Sequence, residues 1–405
     1  MFFILLLPVQ LGFHFWPKFA YVFGIRVDYL SPTIYLTDIA LVGVLGLCFF
    51  ERAKRRGLSG FSVSPTGVIL ASLFLYLLGT SVFIAENQGA AFYKLARLIE
   101  LSFLFWCAYC HGSRLVKWKP FYFALSLAII YPALIAIFQF FVQRSLGGLF
   151  WWLGERTFSV STPGIALTDI WGREFLRSYG TFSHPNSMAG FLLLGLILLA
   201  PWRGALAKIA LGFGTAGIIL SFSQAAWFSA LPLSLAWLMR KLRTGFLPRI
   251  FIPAAILAIA LSITLAFVGI SGIKGSGDLE GRMGLFRAAG DMISHSPLFG
   301  VGLNNFIPRL PEFSQAPSVS WWLQPVHNIF LLILSETGIV GSVLVLYLAG
   351  KFLSPVLVKP KNLKYAGLLA AILITGLADH YWLTLWQNQL LATIALALAV
   401  SPGKA

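Results

Sequence analysis

The sequence predicts an all-α polytopic membrane protein of about twelve transmembrane helices. Three observations carry that prediction: the excess of apolar over charged residues, the length of the apolar runs, and the placement of Lys and Arg between them. Of 405 residues, 58% are hydrophobic and only 11% charged, with mean hydropathy +0.83. Soluble globular domains carry about 25% charged residues. The polar groups here are too few to clothe a single water-facing surface. Apolar runs near 2–16, 33–50, 66–85, 91–111, 120–142, 186–202, 204–221, 225–239, 250–270, 327–349, 364–380 and 384–400 approach or exceed the roughly 20 residues that cross hydrocarbon. They lack strand alternation, and lipid satisfies no free backbone, so they are expected to be helices. No internal repeat is visible, and residues 1–405 read as a single membrane domain.

The net charge of +16 does not point to nucleic acid, because the basic residues sit in short breaks between apolar runs. Breaks after the even-numbered runs hold 18 of the 30 Lys and Arg, among them Arg52, Lys54, Arg55, Arg56, Arg240, Lys241 and Arg243; the opposite side holds 10, and Lys94 and Arg97 lie within a run. Cytoplasmic loops are the ones enriched in Lys and Arg. Both termini are therefore expected to be cytoplasmic, with 143–185 and 271–326 as long external loops. The first run, interrupted by Pro8, reads as a short first helix; it lacks the basic n-region and cleavage site of a signal peptide. Cys107 and Cys110 form a lone CxxC without a second pair, which reads as ordinary buried thiols and not as a zinc or redox motif. Within the second loop, Gly281 to His295 reads as an amphipathic helix. Leu285, Phe286, Ala289, Met292 and Ile293 share one face, suited to lying along a membrane surface.

Four polar constellations fall near the outer boundary, each with a bland reading beside the functional one. Arg177-Ser-Tyr-Gly-Thr-Phe-Ser-His184-Pro-Asn186 enters the sixth run; Ser183 or His184 suits a helix cap as well as a binding role. Ser221-Phe-Ser-Gln224-Ala-Ala-Trp227 suits a cavity lining or bonds between helices. Arg282 and Arg287 precede His295-Ser-Pro297-Leu-Phe-Gly300-Val-Gly302. An arginine at a membrane surface suits a phosphate, or a solvated charge. Gly300 and Gly302 are no dinucleotide fingerprint, since no strand precedes them. His327-Asn328 opens the tenth run, with Glu336 nine residues on among apolar neighbours. Intramembrane ionisable groups are functional candidates, and histidine serves as base or phosphate partner; the alternative is a loop-bonding histidine and a packing carboxyl. Later, Asp379-His380-Tyr381-Trp382 ends the eleventh run with Gln387 and Asn388 nearby. The aromatics suit an interfacial belt, and Asp379 and His380 suit a supporting role in which Asp379 orients His380 or pairs with an external arginine. No sequence spacing suggests a metal site, and no cofactor is expected.

His327-Asn328 followed by Glu336-x-Gly338-x-x-Gly341 resembles the signature of the bacterial O-antigen ligase and polymerase superfamily. The Gly180-Thr-Phe-x-His184-Pro-Asn186 segment, and Arg282 followed by His295-x-Pro297-Leu-x-Gly300-x-Gly302, are similar to it too. The resemblance implies a GT-C-like membrane glycosyltransferase, inverting and metal-independent, in the bacterial cytoplasmic membrane with its site on the periplasmic face. It implies an undecaprenyl pyrophosphate-linked glycan donor. The acceptor is lipid A-core for a ligase, a glycan for an O-antigen or exopolysaccharide polymerase, or protein for an O-oligosaccharyltransferase. By motif, His327 matches the family's essential histidine and Arg282 the arginine of its external helix. These two are the expected catalytic residues, with Arg177, Arg287, His184, Asn186, Gln224, Asn328 and Glu336 toward substrate. One position departs from the pattern. Family members commonly have Ser-Arg where this chain has Ser223-Gln224, so Arg177, Arg173 or Arg287 must supply the missing charge, or the donor is handled differently. A lipid or polysaccharide transporter is the rival of another class.

Overall fold

The structure is a computed structural model and describes residues 1–56, 65–230, 277–314, 323–358 and 363–401. It is mostly helical. In chain order the helices are α1 (Phe2–Leu6), α2 (Leu36–Arg56), α3 (Pro65–Phe83), α4 (Gln88–Leu115), α5 (Lys119–Val142), α6 (Pro185–Leu199), α7 (Ala205–Leu220), α8 (Gly277–His295), α9 (Phe306–Phe313), α10 (Ile329–Val358), α11 (Leu363–Gly376), α12 (Tyr381–Thr384) and α13 (Trp386–Val400). A further helix begins at Gln224. The described residues also hold three small two-stranded antiparallel sheets, β1 (Gly12–His14) with β4 (Thr33–Tyr35), β2 (Tyr21–Val22) with β3 (Ile25–Arg26), and β5 (Leu167–Ile170) with β6 (Arg173–Leu176), and three short 3-10 turns.

Lys119–Val142 and Ile329–Ser354 are long and apolar enough to cross a membrane; Gly67–Phe83, Pro185–Leu199, Ala205–Leu220, Lys364–Gly376 and Trp386–Val400 are apolar but shorter. Phe49, Phe83, Phe103, Phe141, Phe228 and Leu346 stand exposed on helices or at their ends. Such wide apolar exposure is the mark of a membrane surface. These helices suggest a membrane protein, although they do not establish a count of twelve crossings, and the run 250–270 lies outside the described residues. The first run departs most from expectation: its helix ends at Leu6, and by Gly12 the chain is in a hairpin. The carbonyl of Pro8 instead accepts from Thr181 Oγ1 and from Gln387 Nε2.

The main core lies where α5, α6, α7, α11 and α13 meet, around Leu125, Ile129, Phe191, Leu192, Leu194, Leu368 and Leu390. Small residues let these helices approach. A Cβ on Gly217 would come within 2.9 Å of Leu192, and one on Gly214 within 2.9 Å of Ile129. Trp202 stacks on Tyr122 at the start of α5, while Gln139 near its end binds the loop ahead of α6. The two ends of the bundle are thereby distinguished: Lys119 and Arg203 lie at one, His184 at the other.

The amphipathic helix is present as α8, but its apolar face does not rest on lipid. Leu285, Ala288, Ala289 and Met292 are buried against Val22, Leu30, Phe306, Leu310, Val326 and Leu332. The N-terminal segment, α9 and α10 cover it, which removes its apolar surface from water. Tyr381 and Trp382 likewise turn inward instead of forming a belt. Both are buried, Trp382 Nε1 donates to Thr375 Oγ1 at 2.8 Å, and Gly190 of α6 leaves the space that Tyr381 fills. Of the CxxC pair, Cys107 is buried and Cys110 exposed.

Candidate active site

The segment that delivers His184 is built from α5 outward. Gln139 of α5 is fully buried and uses its whole amide: Oε1 accepts from the backbone N–H of Tyr179 and Gly180, while Nε2 donates to the Gly180 carbonyl and to Glu155 Oε1. Gly180 has φ +59, and a Cβ there would sit 2.8 Å from the Pro132 carbonyl. That explains the glycine of the Gly180-Thr-Phe segment, since other residues rarely adopt this backbone. His184 is then the N-cap of α6, its Nδ1 accepting from the Asn186 N–H at 3.2 Å, and Pro185 takes the first helical position. The capping reading of His184 therefore holds, and it places the ring at the mouth of the site.

Other segments converge there. Arg177, just after β6, donates from Nε to the Ser221 carbonyl at 2.8 Å and from Nη2 to Asn186 Oδ1 at 2.5 Å. Asn186 Nδ2 donates to Asp379 Oδ2 at 2.8 Å. Asp379 Oδ1 accepts from the His380 N–H at 2.7 Å and lies 3.6 Å from His327 Nδ1. The His327 and His380 rings are 5.0 Å apart, and Tyr29 meets His380 edge-on at 5.4 Å. Arg282 of α8 is near enough that its charge acts on both His184 and His380. Burial, with the positive charges of Arg177 and Arg282 against it, pushes the His184 imidazole down to about 3. It is a neutral hydrogen-bonding group at ordinary pH. Burial alone would raise the Asp379 carboxyl, but His327, His380 and His184 around it hold it well below the usual range.

Not every expected residue joins this cluster. Arg287, Arg173 and Gln224 are exposed. Asn328 is the cap of α10: its Oδ1 accepts from the N–H of Phe330 and Leu331, and Nδ2 donates to the Leu377 carbonyl. Ser221 Oγ bonds the Ile218 carbonyl, as does Trp227 Nε1, so this turn carries the structural role. Glu336 lies deeper, its Oε1 3.4 Å from the Phe306 N–H. The Lys94 charge acts on it, and Lys94 Nζ donates to the Leu383 carbonyl. Arg97 is a structural pin, paired with Asp38 at 2.9 Å and Glu100 at 2.7 Å and lying over the Trp386 ring.

The glycine motifs around Glu336 find a structural use. α10 is broken at Gly338 (φ +61, ψ −171), and the unwound backbone is paired with the loop after α8. Val301 N–H donates to the Ser335 carbonyl, Gly302 N–H to Glu336, Ile339 N–H to Pro297 and Val340 N–H to Leu298, at 2.9 to 3.2 Å. Backbone freed inside an apolar helix must be re-satisfied by protein, and Pro297–Gly302 does this. A Cβ on Gly300 would lie 2.5 Å from the Glu336 backbone, and one on Gly338 would meet the Leu298 carbonyl. Tyr76 of α3 closes the latch by donating to the Thr337 carbonyl. The residues that sequence reasoning missed are thus Gln139, Glu155, Tyr29 and Tyr76. None stands in a motif, and only a buried Gln and Glu flanking a loop offered any signal.

Ligand atoms of His327, Asp379 and His380 come within 4.8 Å of one another. That proximity was invisible in the sequence, where the residues are some 50 positions apart. Geometrically the trio would admit a cation. His380 Nδ1 is engaged by Thr384 Oγ1 at 2.7 Å, and the positive charges of Arg177 and Arg282 oppose a cation there.

Apolar helices with arginines, histidines and one carboxylate gathered near one end of them are the features of a membrane protein with a polar candidate site. Residues 188–346 match the family described as O-Antigen ligase. That match makes this part of the chain similar to the O-antigen ligase family. The matched segment contains Arg282, His327 and the α10 latch; Arg177, His184, Asn186, Asp379 and His380 lie outside it. No curated protein matches the chain.

Proposed function

We propose that this protein is an O-antigen ligase-like glycosyltransferase. It moves an oligo- or polysaccharide from undecaprenyl pyrophosphate to an acceptor hydroxyl at the external face of the bacterial cytoplasmic membrane. The observation that carries this reading is the meeting of two arginines, Arg177 and Arg282, with a buried His327 at one end of an apolar helical bundle. A pyrophosphate leaving group develops negative charge as its bond to the sugar breaks. Fixed guanidinium groups stabilise that charge most where water is excluded. Arg282 is the expected principal partner. Arg177 compensates for Gln224, because its guanidinium is anchored to the Ser221 carbonyl on the same turn. His327 takes the proton of the attacking hydroxyl. The reaction is inverting and runs without a metal, since arginine charge does the work a cation would do.

A transporter would suit the broken helix α10, because broken helices build transport sites. Here the break is closed by the Pro297–Gly302 loop, which favours the enzyme. In proteoliposomes given an undecaprenyl pyrophosphate-linked oligosaccharide and candidate lipid, glycan and protein acceptors, His327→Ala and Arg282→Ala are expected to abolish transfer while inserting normally. Losing one such group costs on the order of 10²-fold or more in rate. Near-wild-type transfer by both variants would sink the reading. Movement of labelled lipid without a covalent product would favour transport.

A further inference from the structure

The His327 ring is buried, and neither of its nitrogens has a hydrogen-bond partner among the described residues. Buried polar atoms are nearly always bonded, so the group facing this imidazole matters. The carboxylate of Asp379 is that group. Its Oδ1 lies 3.6 Å from His327 Nδ1, beyond hydrogen-bond length. Catalytic hydrogen bonds in substrate-free sites are often long and tighten on binding.

Asp379 is itself fixed from behind. Oδ2 accepts from Asn186 Nδ2 and Oδ1 from the His380 N–H. An ionised carboxylate has about four acceptor sites, which leaves room for a further donor at Oδ1. The Asn186 amide cannot be reversed, because its oxygen faces Arg177 Nη2 and a guanidinium only donates. Its NH₂ must therefore face Asp379. Arg177 is pinned in turn by the Ser221 carbonyl. Donation therefore runs in one direction from Arg177 through Asn186 to the carboxylate beside His327, while Arg177 also donates to the turn ahead of Gln224.

We infer that Asp379 is a positioning residue for His327: it closes on Nδ1–H, fixes that tautomer, and leaves Nε2 as the proton acceptor. The assignment rests on the transferase reading above. In the step, the acceptor oxygen bonds to the anomeric carbon and its proton passes to Nε2. The bond from that carbon to the carrier phosphate oxygen breaks, and the electron pair leaves with the pyrophosphate. Asp379 stays ionised throughout and stabilises the imidazolium, which then returns its proton to the leaving pyrophosphate or to water. A buried carboxylate holding the correct tautomer is the same device that orients the histidine of serine hydrolases. Asn186 then belongs to the support of Asp379 and not to the substrate.

The test compares wild type, Asp379→Asn, Asp379→Glu and His327→Ala in proteoliposomes, with an undecaprenyl pyrophosphate-linked oligosaccharide as donor. For Asp379→Asn, kcat is expected to fall on the order of 10²-fold or more with donor KM within about twofold. The acid limb of its kcat profile should move down by about one pH unit, because the imidazole loses a neighbouring negative charge. Asp379→Glu should recover part of the rate. Unchanged kcat and profile in Asp379→Asn beside an inactive His327→Ala overturns the inference and leaves the transferase reading standing. A lower kcat with an unmoved acid limb overturns it too, as the mark of a structural role. An active His327→Ala overturns the transferase reading itself. Should Asp379→Asn fail to fold, nitrogen-15 spectra of labelled histidine in the wild-type protein decide: Nδ1-protonated His327 is expected, and the Nε2-protonated tautomer overturns the inference.

Discussion

In the proposed transferase, donor recognition turns on Arg177 and Gln224. Gln224 is exposed and carries no charge, whereas Arg177 reaches the same turn through the Ser221 carbonyl. If Arg177 supplies the missing charge, Arg177→Ala should raise donor KM about tenfold, the scale of one charge-assisted hydrogen bond. Adding Gln224→Arg should restore KM. It should not restore kcat, because the Arg177 contact that orients Asn186 would still be absent; steady-state kinetics of the single and double variants check both expectations. His184 offers a pH test. It is held neutral in the fold down to about 3, against an ordinary value of 6.5, so the unfolded chain takes up a proton that the folded chain refuses. Its contribution to stability is complete above about 6.5 and is lost progressively as pH falls toward 3. His184→Asn keeps an acceptor for the helix cap and removes that titration. Its melting temperature in detergent should fall less between pH 7 and pH 5 than that of the wild type.

At the scale of the element, the break in α10 is the most demanding feature. Gly338 combines a left-handed backbone with contact against the Leu298 carbonyl, and Gly300 at φ +70 mirrors it across the latch. Placing a Cβ in the left-handed region costs roughly 1–2 kcal/mol before any clash, and overpacking adds about 1–3. Gly338→Ala should therefore lower the apparent Tm in detergent by several degrees and reduce transfer, since α10 begins just after His327. Tyr76→Phe should do less, removing one hydrogen bond to the Thr337 carbonyl at about 1 kcal/mol. If Gly338→Ala melts like the wild type, the latch does not carry the stability assigned to it. The Glu336-x-Gly338 and Pro297-x-x-Gly300-x-Gly302 motifs are then two halves of one joint, the first unwinding a helix and the second satisfying what the unwinding exposes.

For the whole molecule, the arrangement of ends predicts topology. The β5–β6 hairpin tip carries Trp171, 97% exposed, on the segment leading to the site. Lys119 opens α5 at the other end of the bundle. In a cysteine-free background, Trp171→Cys in intact cells stripped of their outer membrane should react with an impermeant maleimide, and Lys119→Cys only after permeabilisation. The reverse labelling would place the site in the cytoplasm and contradict the charge asymmetry of 18 against 10. Metal removal is the second whole-molecule test. With arginine charge serving the leaving group, EDTA treatment should leave transfer unchanged. A loss restored by a divalent ion would turn His327, Asp379 and His380 from a proton relay into a metal site.

The sequence by itself determined the apolar helical character and most helix positions, and its resemblance to a family supplied His327 and Arg282, the two residues on which the proposed transfer reading depends. It did so because hydropathy and helix caps are local: a run of apolar residues, or His-Pro-Asn at a helix start, needs no distant partner to be read. The inward turn of Tyr381 and Trp382, the cover over the α8 face, and the glycine latch were decided only in three dimensions, by which surfaces lay close enough to bury one another. The same holds for Asp379, 52 residues beyond His327 in the chain and 3.6 Å from it in space. Hydrogen bonds and fields act over a few ångströms, and chain distance carries no record of them.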